Sequence, residues 1–89
     1  MPEAYLLEQK KHVKKIFRKL ERKDRKQLEA IRNKLMEICL EPHKFKPLNA
    51  PMQGQRRVHI GSFVLIYSIN EATRTVTVED YAHHDVVYG

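Results

Sequence analysis

The chain has one cysteine, no tryptophan, three glycines and four prolines among its 89 residues. The lone cysteine, Cys39, excludes a disulfide within the chain and a cysteine-built zinc site, and it fits a reducing compartment. Without tryptophan, a few Phe, Ile, Leu and Val side chains must fill the core. No apolar run approaches the ~20 residues needed to span a bilayer, and the N-terminus lacks the apolar stretch of a signal peptide. The expectation is a soluble, cytoplasmic protein without membrane contact. No repeat and no low-complexity linker interrupts the sequence, so residues 1–89 read as a single domain with a modest core.

Positive charge is what the chain has in excess. The net charge of +6 favours a polyanionic partner such as nucleic acid, an acidic protein or anionic lipid. Residues 1–34 hold 12 Lys/Arg against five Asp/Glu, whereas residues 35–89 hold five against six. The basic half also has helical periodicity. After a short strand at Tyr5-Leu6-Leu7, a helix is predicted from Gln9 to Leu20. Val13, Ile16, Phe17 and Leu20 lie on one of its faces, and Lys10, Lys11, Lys14, Lys15, Arg18 and Lys19 fill the rest. A second helix is predicted from Asp24, as N-cap, to Leu40, with Leu28, Ile31, Leu35 and Ile38 as its stripe and Pro42 as its stop. About three connecting residues imply an antiparallel helical hairpin.

Beyond a loop over Pro47 to Gly54, the pattern changes to strands. Val58 and Ile60 alternate with Arg57 and His59, Gly61-Ser62 reads as a type II′ hairpin turn, and Phe63 to Ile69 is nearly all apolar, as in a central strand covered on both faces. After a turn at Asn70 to Thr73, Arg74 to Tyr81 alternates again. The predicted fold class is α+β: a short N-terminal strand and a helical hairpin packed on one face of an antiparallel β-meander.

Chemistry is concentrated in the tail Ala82-His83-His84-Asp85-Val86-Val87-Tyr88. Two imidazoles, a carboxylate and a phenol follow the last strand, in a chain whose other half is cationic. If Val58 and Ile60 face the core, Arg57 and His59 face the other way and can meet that tail. Cleavage of RNA by transesterification needs a base for the 2′-hydroxyl, a cation at the phosphorus and an acid for the leaving 5′-oxygen. Histidine can serve as either acid or base near neutrality, arginine fits phosphate as a bidentate donor, and tyrosine can stack on a base. No carboxylate cluster for Mg²⁺ is visible, adjacent histidines on an extended chain point apart, and no metal or other cofactor is expected. His12 and His43 have no obvious partners and read as surface residues.

The order of elements, together with three stretches, resembles the RelE/ParE superfamily of bacterial and archaeal toxins. The stretches are Phe17-Arg18-Lys19-Leu20, Arg57 through Tyr67 around the glycine turn, and His83-His84-Asp85 followed by Tyr88. The last is similar to a C-terminal His-Arg-x-x-x-Tyr of the family. The resemblance implies a RelE-like toxin of a type II toxin–antitoxin pair, an endoribonuclease that cleaves ribosome-bound mRNA without metal and leaves a 2′,3′-cyclic phosphate. It further implies an acidic RelB-like antitoxin as partner, and the ribosome and mRNA as targets. His84, His83, Arg57, His59 and Tyr88 are the candidate catalytic residues, with Tyr88 stacking on the substrate base. Arg56, Lys46, Lys14, Lys15, Arg18 and Lys19 are the candidate RNA-binding residues. The family pattern has an arginine after the central-strand aromatic, where this chain has Val64; either Arg57, with Arg56, supplies that cation or the toxin is catalytically weak. Two alternatives stand beside this reading: a ParE-like toxin that binds DNA gyrase without catalysis, and an RNA-binding member without chemistry.

Overall fold

The computed structural model describes residues 3–48 and 54–88. Along the chain these form β1 (Leu6–Gln9), α1 (Lys11–Lys23), α2 (Arg25–Leu40), β2 (Lys46–Pro47), β3 (Gln55–Ile60), β4 (Phe63–Asn70), β5 (Thr75–His83) and α3 (His84–Tyr88). None of the described helices is long and apolar enough to cross a membrane.

Asp24 alone joins α1 to α2, where about three connecting residues were expected. Its N–H donates to Leu20 O at 2.8 Å and so closes α1. Its side chain accepts from the Gln27 N–H at 3.1 Å and so opens α2. One residue can do both because its non-helical backbone (φ −153°, ψ 78°) turns the chain while its short carboxylate reaches a free amide of the next helix. The boundaries of α1 also shift. Gln9 remains in β1, opposite Val78, and the helix runs on to Lys23.

The sheet order is β1-β5-β4-β3-β2. The β3–β4–β5 meander is antiparallel as predicted, whereas β1 joins β5 in parallel. The β3–β4 hairpin turns at Gly61, whose φ of +60° lies in the left-handed region. A Cβ there would meet open space, so backbone conformation and not crowding makes glycine the fitting residue. The start of the predicted loop over 47–54 is occupied instead by β2, whose Lys46 and Pro47 pair with Arg57 and Arg56. Two residues carry no periodicity, which hides such a strand from sequence reading. Residues 49–53 lie outside the described part.

The hairpin covers one sheet face. Val13 and Phe17 from α1, and Leu28, Ile31, Leu35, Ile38 and Cys39 from α2, pack with Val58, Ile60, Leu65, Tyr67, Val76, Val78 and Tyr81 from the sheet. Full burial of each such aliphatic side chain contributes roughly 1.5–3 kcal/mol. The two buried tyrosines keep their hydroxyls bonded: Tyr67 donates to Pro42 O at 2.6 Å and Tyr81 to Gln27 Oε1 at 3.2 Å. Burial pushes both phenols up to about 12, for Tyr81 with added repulsion from Asp24. Burial also pushes the Cys39 thiol up, which makes its reactive thiolate scarce. On the opposite face Val64 and Ile66 are buried as well (0% and 3% exposed), so β4 is central and covered on both sides, as its unbroken apolar run implies.

Candidate functional site

The site begins with strand alternation. Val58 and Ile60 belong to the core on the hairpin side, so Arg57 and His59 project from the other face. The register then lays out two rows across that face. One row is Lys46, Arg57, Ile66 and Asp80; the other is His59, Val64 and Ala82. Paired residues in adjacent strands share a face, so Lys46 stands beside Arg57, and β2 makes that cationic pair. At the far end of the Arg57 row, Asp80 meets His12 of α1 at 3.3 Å.

The tail returns over this face. Strand β5 extends through His83, further than the sequence suggests, and α3 packs against both β4 and β5. The His84 N–H donates to Ser62 O in the hairpin turn at 2.8 Å. The His84 ring then lies 5.8 Å from that of His59, centroid to centroid, at an interplanar angle of 33°. Asp85 places a carboxylate oxygen 3.7 Å from His84 Nδ1. Imidazoles from β3 and α3 therefore share a surface with the Arg57 guanidinium and the Lys46 ammonium.

His83 is separated from its neighbour by the same alternation. It pairs with Phe63, on the face of Tyr81, and meets the Phe63 ring edge-on at 5.4 Å. Arg56 likewise faces away from Arg57. It sits opposite Tyr67, and its Nη1 donates to Phe45 O at 2.6 Å and to His43 O at 3.2 Å. These bonds pin the segment after α2 and hold its guanidinium away from the rows. Tyr88 ends α3, and its side chain lies outside the described part.

The helical cations form another surface. Lys15, Arg18, Lys19 and Arg22 line one groove along α1, and Lys14 and Arg18 line part of another, between α1 and α2. α1 packs through Val13 and Phe17 on the hairpin side, while its His12 reaches Asp80 at the end of the Arg57 row. The two histidines read as partnerless do have partners. His12 meets Asp80, and His43 Nε2 lies 2.6 Å from Glu71 Oε1. Glu71 also accepts from the Tyr5 hydroxyl at 2.8 Å. The Tyr5 bond, followed by that to His43, holds the Glu71 carboxyl below its usual range. Partners so distant in sequence leave no local signal.

Among the described residues no group of three or more His, Cys, Asp and Glu side chains could hold a metal ion. The arrangement offers two proton-transfer groups, a permanent cation and an ammonium around one surface, the donor set that phosphodiester transesterification needs.

The sequence and fold have known relatives. Residues 6–88 match the family model of the ParE toxin of type II toxin–antitoxin systems. The chain is 44% identical over 75 residues to the toxin candidate RelE4 of Methanocaldococcus jannaschii, covering 83% of this chain and 80% of that one. The fold is similar to the YoeB/ParE toxin from Agrobacterium tumefaciens (TM-score 0.81, 18% identity, 89% of this chain and 98% of that one). It is also similar to a chain of the toxin–antitoxin complex RelBE2 from Mycobacterium tuberculosis (TM-score 0.77, 22% identity, 91% and 99%).

Proposed function

The chain belongs to the ParE toxin family of type II toxin–antitoxin systems, within the RelE/ParE superfamily, and on that premise we propose that it is an endoribonuclease that cleaves ribosome-bound mRNA in the cytoplasm. The observation that carries the reading is the 5.8 Å approach of the His59 and His84 rings on the face that bears Arg57 and Lys46.

In the proposed reaction one imidazole takes the proton of a 2′-hydroxyl. The 2′-oxygen attacks the adjacent phosphorus, the P–O5′ bond breaks, and the other imidazole protonates the departing 5′-oxygen. The products are a 2′,3′-cyclic phosphate and a free 5′-hydroxyl, and each proton is accounted for within the imidazole pair. Arg57, with Lys46 beside it, offsets the charge that grows on the phosphoryl oxygens. This pair answers the absence of a cation at Val64. Tyr88 stacks on the substrate base, and His83, which ends β5 on the face of Phe63 and Tyr81, stands outside the reacting pair. The cations of α1 act at a distance from the reacting bond, on ribosomal RNA phosphates.

The RelBE2 complex is a toxin with its antitoxin, and by likeness this chain is held inactive by an acidic antitoxin until that partner is lost. Primer extension on mRNA after induced expression tests the reading. Discrete cleavage sites that vanish in His84→Ala support it. Growth arrest with a DNA-damage response and intact messages would instead indicate a gyrase-binding toxin.

A further inference from the structure

The first turn of α3 is held by bonds of two kinds. The His84 N–H donates to the Ser62 carbonyl, and the Asp85 N–H donates to His83 Nδ1 at 3.1 Å. A helix leaves its first amides without partners, and the residue before the first turn commonly satisfies one through a side-chain oxygen. Here an imidazole nitrogen takes that place, which requires Nδ1 to carry no proton. The ring that supplies it is fixed from behind. His83 meets Phe63 edge-on, Phe63 stacks on Tyr81 at 5.2 Å, and Tyr81 meets Phe17 edge-on at 5.6 Å. A series of ring contacts thus runs from the helical hairpin to the first turn of α3, whose first residue is His84.

We propose that His83 is a positioning residue: as a neutral imidazole it caps α3 and so sets the His84 ring against that of His59, and it transfers no proton during cleavage. The activity arm of this proposal rests on the nuclease reading; its structural arm does not. Asp85, whose carboxylate lies 3.7 Å from the Nδ1 of both His83 and His84, is the charged group facing the two rings from α3. Ser62 and Phe63, on the strand and turn beside them, carry no charge.

Asparagine separates capping from proton transfer. Its Oδ1 stands two bonds beyond Cβ, as His Nδ1 does. It accepts from the same amide, and it neither takes up nor releases a proton near neutral pH. In the purified full chain, NMR reads hydrogen exchange at the Asp85 amide and the contact between the His59 and His84 rings. His83→Ala is expected to speed Asp85 exchange roughly fivefold and to weaken the ring contact. His83→Asn is expected to leave both unchanged and to keep message cleavage at the parent level, while His84→Ala loses ~10²–10⁴-fold. Unchanged Asp85 exchange in His83→Ala would overturn the cap. A His83→Asn protein with a protected Asp85 amide and cleavage as low as that of His84→Ala would overturn the positioning role. If the parent chain cleaves no message, the nuclease reading fails by itself, and the exchange measurements still decide the cap.

Discussion

The His59 and His84 imidazoles, one from β3 and one from the first residue of α3, face each other at 5.8 Å between ring centroids. Two turns and two strands, β4 and β5, separate them along the chain. The approach is made by the β3–β4–β5 register together with the bond from His84 N–H to Ser62 O. If this pair moves the protons, His59→Ala and His84→Ala should each lower message cleavage ~10²–10⁴-fold. The double variant should be little worse than either single one, because the two act as a unit. Single-turnover cleavage beside an unchanged thermal unfolding curve measures this, and additive losses would show two independent roles.

Arg57 and Arg56 are adjacent in sequence and opposed in space. Arg57→Ala should depress cleavage. Arg56→Ala should instead lower stability and leave cleavage little changed, because its guanidinium bonds the carbonyls of Phe45 and His43. A loss of about 1–3 kcal/mol is expected where such charge-assisted bonds go unmade. Denaturant midpoints measured alongside cleavage rates separate the two effects, and matched losses of cleavage would contradict the assignment.

Restoring an arginine in the central strand should fail. Val64 is fully buried, between His59 and Ala82, and Val64→Arg would bury a charge there, at a cost of about 3–5 kcal/mol. The expected outcome is a protein that unfolds near room temperature or aggregates, read by circular dichroism. A stable and more active Val64→Arg would mean that this position opens to the substrate.

Ribosome binding should weaken with salt through the α1 cations. Replacing Lys15, Arg18 and Arg22 with glutamine should reduce the slope of log affinity against log salt by roughly 2–3. Cleavage of a short oligonucleotide that is free of the ribosome should stay unaffected, because those side chains take no part in the proposed proton transfer. An unchanged slope would remove α1 from the interface.

The buried tyrosines set an alkaline limit. Tyr67 and Tyr81 are pushed up to about 12 from an ordinary 10. Their stabilising contribution is therefore complete below pH ~10 and is lost as pH rises through 12. Titration of tyrosinate absorbance should show ionisation of these two coinciding with loss of the fold. Tyr67→Phe, which strips Pro42 O of its 2.6 Å donor, should cost about 1–2 kcal/mol at neutral pH.

Periodicity alone carried much of this protein. Stripes at spacings of three and four define α1 and α2, alternation defines β3 and β5, and an unbroken apolar run defines β4. These are local consequences of helix and strand geometry, so they are legible without a fold. The same alternation sends Arg57 and His59 away from the core. What the tertiary structure decided is which distant groups meet. Asp24 doubles as the cap of two helices, two-residue β2 sets Lys46 beside Arg57, and β5 continues through His83. The parallel place of β1, the partners of His12 and His43, and the approach of His84 to His59 depend likewise on pairing register and on closure between remote segments. Such contacts are fixed by the packing of the whole chain, and no spacing within the sequence records them.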